Sequence, residues 1–405
     1  MKKFSLIVTG IAILLAGIGR GDAVMSPAVD VPITITPPSG GGAGAQLPGP
    51  SATLFNNPYY TCNQNWYIAS NGSDSNSGTT GSRWLTLSHA LSTMTVTGTG
   101  SWCVNFAPGT YNPASWVVAG FPKGGNAATS AGYLVVRCET LDGCVMNGQD
   151  GANLAISQSP NAAGKFVIVD GFELVGTNGA SGNNFQQGVT TWDGGGSCSG
   201  GVDCVFSTHH IMVLNSIIHG FSQSGIQMND GEYFYVSHNR IYGNSRNPGC
   251  SSTYGSGISF APYKQITAGT YTPTADDTNA NSNAALNLIG AQGPSFSFHN
   301  VTAYNVVYND IFNNSCSGSD SNGIIFDSTN NYYNSWGAYT PRSLAAFNVI
   351  FNNGGNGIWS TSSLNITIAN NSCYNNALQS TWNSTDRPCL GGNQTYGMYY
   401  ENNIA

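Results

Sequence analysis

Four stretches decide the fold: Asn239-Arg-Ile-Tyr-Gly-Asn244, Asn309-Asp-Ile-Phe-Asn-Asn314, Asn348-Val-Ile-Phe-Asn-Asn353 and Asn371-Ser-Cys-Tyr-Asn-Asn376. Asn215-Ser-Ile-Ile-His-Gly220 is a weaker copy. A second element follows most copies: Gly225-Ile226, Gly257-Ile258, Gly323-Ile324 and Gly357-Ile358. The shortest spacings, 215 to 239 and 348 to 371, match a coil of three short strands and three bends. The longer spacings hold polar insertions around 262–295 and 328–341. Inward Ile, Val and Phe stack into one core, and equivalent positions in successive coils lie about 4.8 Å apart. Asn suits the bends because it tolerates the left-handed region and its amide can bond the equivalent Asn one coil away. A leucine-rich repeat would need a Leu framework, and a propeller would need longer repeats. The expectation is an all-β chain, a right-handed parallel β-helix solenoid with a short N-terminal capping helix.

Composition agrees. The 405 residues include 52 Gly and 46 Asn but only 12 Lys+Arg and 19 Asp+Glu. Coiled coils, helical bundles and polyelectrolyte tails need far more charge. With 40% hydrophobic and 11% aromatic residues the chain can bury a core.

Lys2 and Lys3, the apolar run Phe4–Ile18 and the small residues Gly21-Asp22-Ala23 read as a secretory signal peptide over 1–23. Its removal would leave an acidic chain, which argues against nucleic acid or anionic membrane as partner. Residues 24–57 are rich in Pro and Gly and read as a flexible leader. The N-terminal cap and first coils are assigned to 58–129 and the repeating coils to 130–405. Leu87, Ala90, Leu91 and Met94 lie on one face of a helix that Thr86 can cap. The ten Cys of an exported chain imply disulfides, at least three of them. Cys250 and Cys316, in consecutive coils of the Asn alignment, are expected to bridge. Gly397-Met398 takes the place of a Gly-Ile pair, and Glu401-Asn402-Asn403-Ile404-Ala405 opens a further Asn repeat. The reading is therefore of an incomplete solenoid, or one whose end another segment or subunit covers.

Tyr67-Ile68-Ala69-Ser70-Asn71-Gly72-Ser73-Asp74-Ser75-Asn76-Ser77-Gly78, then Trp84-Leu85-Thr86-Leu87-Ser88-His89-Ala90-Leu91, resembles the N-terminal cap of secreted bacterial right-handed parallel β-helix proteins of the pectate-lyase-like superfamily. The repeats over 166–405 resemble the same group. The resemblance implies a carbohydrate-active fold shared by lyases, hydrolases, epimerases, esterases and adhesins. The motifs that mark polygalacturonases, pectin methylesterases, alginate epimerases and Arg-base pectate lyases do not occur. What the resemblance leaves is a polysaccharide lyase that uses Ca²⁺ and a Lys base.

Beta-elimination on a uronate needs a neutralised carboxylate, a base for the C5 proton and a groove. Counting outward from the Gly-Ile pairs places Asp327, Glu232 and, on the next coil beside Glu232, Lys264, with Asp230 and Asp320 flanking the same rim. One reading is a Ca²⁺ site at Asp230, Glu232, Asp320 and Asp327 with Lys264 as base; the other is an exposed salt bridge and solvated turn acids. His219 replaces a turn residue and is a candidate general acid. Arg240, which the same alignment stacks on Asp310, is a candidate for a substrate carboxylate; a structural salt bridge is the other reading. Trp359, outward and beside Ile325, can stack a sugar ring. The expectation is a monomeric, extracellular or periplasmic protein whose partner is a polysaccharide. A non-catalytic carbohydrate-binding or adhesion β-helix is the alternative.

Overall fold

The computed structural model describes residues 60–95, 101–112, 133–148, 154–155, 165–177, 187–191, 208–229, 231–246, 255–260, 298–312, 320–327, 341–379 and 389–405. All fall within one compact unit, Gly44–Ala405. The signal-peptide and leader assignments lie outside the described residues.

Three parallel sheets carry the fold: ten strands from Cys62–Ile68 to Tyr399–Glu401, eight from Gly109–Tyr111 to Ser372–Tyr374, and seven from Leu154–Ala155 to Leu390–Asn393. In each, strands follow chain order, and from Leu134 onward each coil gives one strand to each sheet. The fold is the expected parallel β-helix. The one described helix, Leu87–Thr93, is capped as expected: Thr86 Oγ1 accepts from the His89 N–H at 3.1 Å, and Leu87, Ala90 and Leu91 are buried. Among the described residues, no helix is long and apolar enough to cross a membrane.

The inner face stacks like on like. Val104, Val136, Val169, Val213 and Val236 form one inward row of the first sheet. Ile218, Ile241, Val307 and Ile350 form another in the second. Truncating an Ile of such a row to Ala costs about 2–5 kcal/mol. The first sheet is also buried outside, where Cys103, Val135, Ile168, Met212, Tyr235, Val301 and Leu344 build a second apolar cluster with Tyr60. Burial on both faces explains its unbroken apolar runs, such as Leu134-Val135-Val136.

Amide ladders fasten the corners. In the first, the backbone N–H groups of Ser216, Asn239, Asn305, Asn348 and Asn371 donate in turn to the side-chain oxygens of Asn239, Asn305, Asn348, Asn371 and Asn403, at 2.9–3.0 Å. A second runs from Phe221 through Asn244, Asp310 and Asn353 to Asn376.

These ladders correct the expected register. The copy after Asn239 starts at Asn305, because Arg240 pairs with Val306. Asn309 satisfies the same letter pattern but stands four residues further on. Asp310 therefore takes the second ladder position and does not stack on Arg240. The weaker copy starts at Ser216, one residue later than expected. Leu390, not Met398, pairs with Ile358, so Cys389-Leu390 is the last Gly-Ile equivalent. Asn403 does open a further rung. Around it Tyr396, Tyr399, Tyr400 and Ile404 are exposed, while Met398 packs against the core.

Three disulfides join described residues: Cys62–Cys103, Cys138–Cys144 and Cys373–Cys389. The Cys250–Cys316 bridge lies outside the described residues.

Candidate functional site

The outer face of the second sheet gathers charge that is scarce elsewhere. Strand alternation turns Leu174, Ile218 and Ile241 inward, so Glu173, His219, Arg240 and Tyr242 face outward. Register places Glu173, Ile217 and Arg240 in one outward row and Val175, His219 and Tyr242 in the next. His219 and Glu173 thus sit diagonally on adjacent strands, with Nε2 3.1 Å from Oε1. Their side chains are 21% and 29% exposed. With its proton on Nε2, His219 donates to the Glu173 carboxylate and keeps Nδ1 as a proton acceptor.

The His219 ring stacks on Tyr242 with centroids 4.7 Å apart. The Arg240 guanidinium lies 5.5 Å from the Tyr242 ring centre, within cation–π range. Asp142, in the turn before strand Cys144–Asn147, is close enough to feel both Arg240 and Glu173. Desolvation pushes its carboxyl up to about 6; the Arg240 charge opposes this and the Glu173 charge reinforces it. Asp142 is itself exposed, so water screens the shift and no stability is assigned to it. Sequence reasoning named His219 and Arg240 separately; the coil register brings them together. It missed Asp142 and Glu173, which precede the recognisable Asn repeats.

The stack continues from Tyr242 to Tyr308 at 5.0 Å and from Tyr308 to Phe351 at 4.9 Å. Rings stacked this way occupy one another's faces. A sugar would meet the hydroxyl edges of Tyr242 and Tyr308, not their planes.

The other described residues of the expected site lie apart from this cluster. Trp359 is outward, half-buried and paired with Ile325, as expected. Asp327 pairs with Thr361 on the same strands. Asp320 accepts from the Gly255 N–H at 3.1 Å. Glu232 belongs to a different sheet: it lies on strand Gly231–Ser237, is 2% exposed, and holds His299 Nδ1 at 2.6 Å. Asp230 and Lys264 lie outside the described residues. Among the described residues no three His, Cys, Asp or Glu side chains form a metal-ligating group. The described members of the expected Ca²⁺ set therefore do not make a site by themselves.

No protein-family model and no curated protein matches the chain. Solved structures similar to it include pectate lyase Pel9A, with a TM-score of 0.40 and 17% identity over 77% of this chain and 70% of that one. An alginate lyase from Paenibacillus sp. str. FPU-7 has a TM-score of 0.32 and 13% identity over 78% of this chain and 95% of that one. The A-module of the mannuronan C-5 epimerase AlgE4 from Azotobacter vinelandii has a TM-score of 0.31 and 12% identity over 69% and 70%.

Proposed function

We propose that the chain is an exported, carbohydrate-active β-helix that cleaves uronate-containing polysaccharide by β-elimination, with the outer face of its second sheet as the site. The observation that carries this reading is the His219–Glu173 pair held beside Arg240 and Asp142 on an outward face. Arg240 supplies the positive charge that a uronate carboxylate needs before its C5 proton can leave. His219, oriented through Nε2 by Glu173, takes that proton on Nδ1. The C4–O4 bond then breaks as the C4=C5 bond forms, and Asp142, in its protonated form, passes a proton to the departing oxygen. His219 thus serves as base, a role the sequence reading gave to Lys264. The calcium expected from the resemblance enters no step.

Purified protein should release unsaturated uronate, read by its ultraviolet absorbance, from at least one of polygalacturonate, alginate or glucuronan, and from no neutral glycan. His219→Ala and Arg240→Ala should each abolish it while keeping the fold. A folded protein that yields no unsaturated product from any uronate polymer, with or without Ca²⁺, overturns the reading. A second reading, a binding module without catalysis, draws on the stacked rings Tyr242, Tyr308 and Phe351, which favour a rigid face. Retardation of the protein in glycan-containing gels without product formation would select it.

A further inference from the structure

The second ladder contains one residue that breaks its chemistry. Asn244, Asn353 and Asn376 each use their side-chain nitrogen to reach a carbonyl on the inward row of the preceding coil: Ile218, Val307 and Ile350 respectively, at 3.4, 3.4 and 3.2 Å. Asp310 occupies the same position one coil after Asn244. By the same register its carbonyl is that of Ile241. Oδ1 does what an amide oxygen would do, accepting from the Asn244 N–H at 2.7 Å. Oδ2 stands where every other rung has an N–H donor. It is fully buried and, among the described residues, receives no hydrogen bond. Gly257 packs directly against it; a methyl group there would collide with the oxygen. An ionised Oδ2 would face a carbonyl with no donor among the described residues, which is costly.

We propose that Asp310 is a proton-carrying rung: its Oδ2–H replaces the amide N–H and donates to the Ile241 carbonyl, and losing that proton loosens the junction between strands Arg240–Tyr242 and Val306–Tyr308. Burial pushes the carboxyl up to about 7, against hydrogen bonds from Asn244 and the charge of Arg246. Asn244, Asn353, Gly257, Ile241 and Val307 beside it carry no charge, and among the described residues Arg246 is the charged group that acts on it. The folded state holds the proton more tightly than the unfolded chain, whose carboxyl titrates near its ordinary value of 3.8. The contribution to stability is thus complete below the unfolded value, is lost as pH rises towards about 7, and stays lost above it.

The test is denaturant unfolding of the wild-type protein and Asp310→Asn between about pH 4 and pH 8. The variant carries a permanent N–H donor. Its folding equilibrium should exceed that of the wild type by on the order of 10²–10³-fold at the alkaline end, and the two should converge at the acid end. The difference between the proteins is the readout, because other groups titrate equally in both. A ratio that does not change with pH overturns the proposal. If Asp310→Asn fails to fold, the infrared spectrum of wild-type protein labelled at its Asp carboxyl carbons answers instead. A protonated carboxyl band near pH 6 that persists in Asp142→Asn supports the proposal, and its absence overturns it.

Discussion

The first and second sheets come from the same coils but treat their outer faces differently. Outside the first sheet, apolar side chains make a second core with Tyr60. Among the described residues, buried charge there sits in hydrogen-bonded networks such as the one around Asp170. Tyr60 donates to Asp170 at 2.7 Å, Asn215 donates to its other oxygen at 2.8 Å, and Arg137, next to Asp170 in register, donates to Asn105 at 2.7 Å. Outside the second sheet, Glu173, His219 and Arg240 keep contact with solvent. The same polar residue types thus serve as fasteners on a covered face and as available chemistry on an open one. Burial, not composition, separates the two roles.

Three substitutions would break or sharpen that contrast. The largest effect belongs to Asp170→Ala, which strips the acceptor from Tyr60 and Asn215 and the neighbouring carboxylate from Arg137. A loss of about 3–5 kcal/mol is expected from urea unfolding; a loss below about 1 kcal/mol would mean the covered face treats charge like the open one. An intermediate effect belongs to His238, at the corner between the faces, where its ring stacks on Tyr304. Burial lowers it from 6.5 to about 4. Its folded value is depressed, so neutral imidazole is favoured. Its contribution is complete above the unfolded value and is lost as pH falls towards about 4, the opposite sense to Asp310. His238→Phe should flatten that acid limb of the stability profile; an unchanged limb would refute the assignment. The smallest effect on stability belongs to Glu173→Gln on the open face, under about 1 kcal/mol. Turnover of a uronate polymer should nevertheless fall about tenfold or more, because His219 loses the carboxylate that orients it. Equal losses in stability and turnover would reduce the pair to a fastener.

The coil, the helix cap and the ladders were legible because like residues stack at fixed positions, and Asn239, Asn348 and Asn371 are true rungs. Register across the long insertion was not. Asn305 and Asn309 both begin Asn-x-apolar-aromatic patterns, and only backbone pairing with Arg240 chooses between them. Trp359 could be placed outward from its Gly neighbour alone. Glu232 could not be assigned a sheet, since counting from Gly225 carried it past a corner into the next strand. Asp142 and Glu173 lie in coils without the Asn signature. The alternation in Phe172-Glu173-Leu174-Val175 marks Glu173 as outward, but nothing in the letters ties it to His219, 46 residues later.

The first ladder also has a direction. Each rung joins a backbone N–H of one coil to the side-chain oxygen of the coil that follows it in sequence, from Ser216 to Asn403. A corner therefore stays unsatisfied until the next coil is made. On the ribosome, where chains emerge N-terminus first, every newly translated coil would complete its predecessor, and the nascent protein would carry one open corner per ladder at a time.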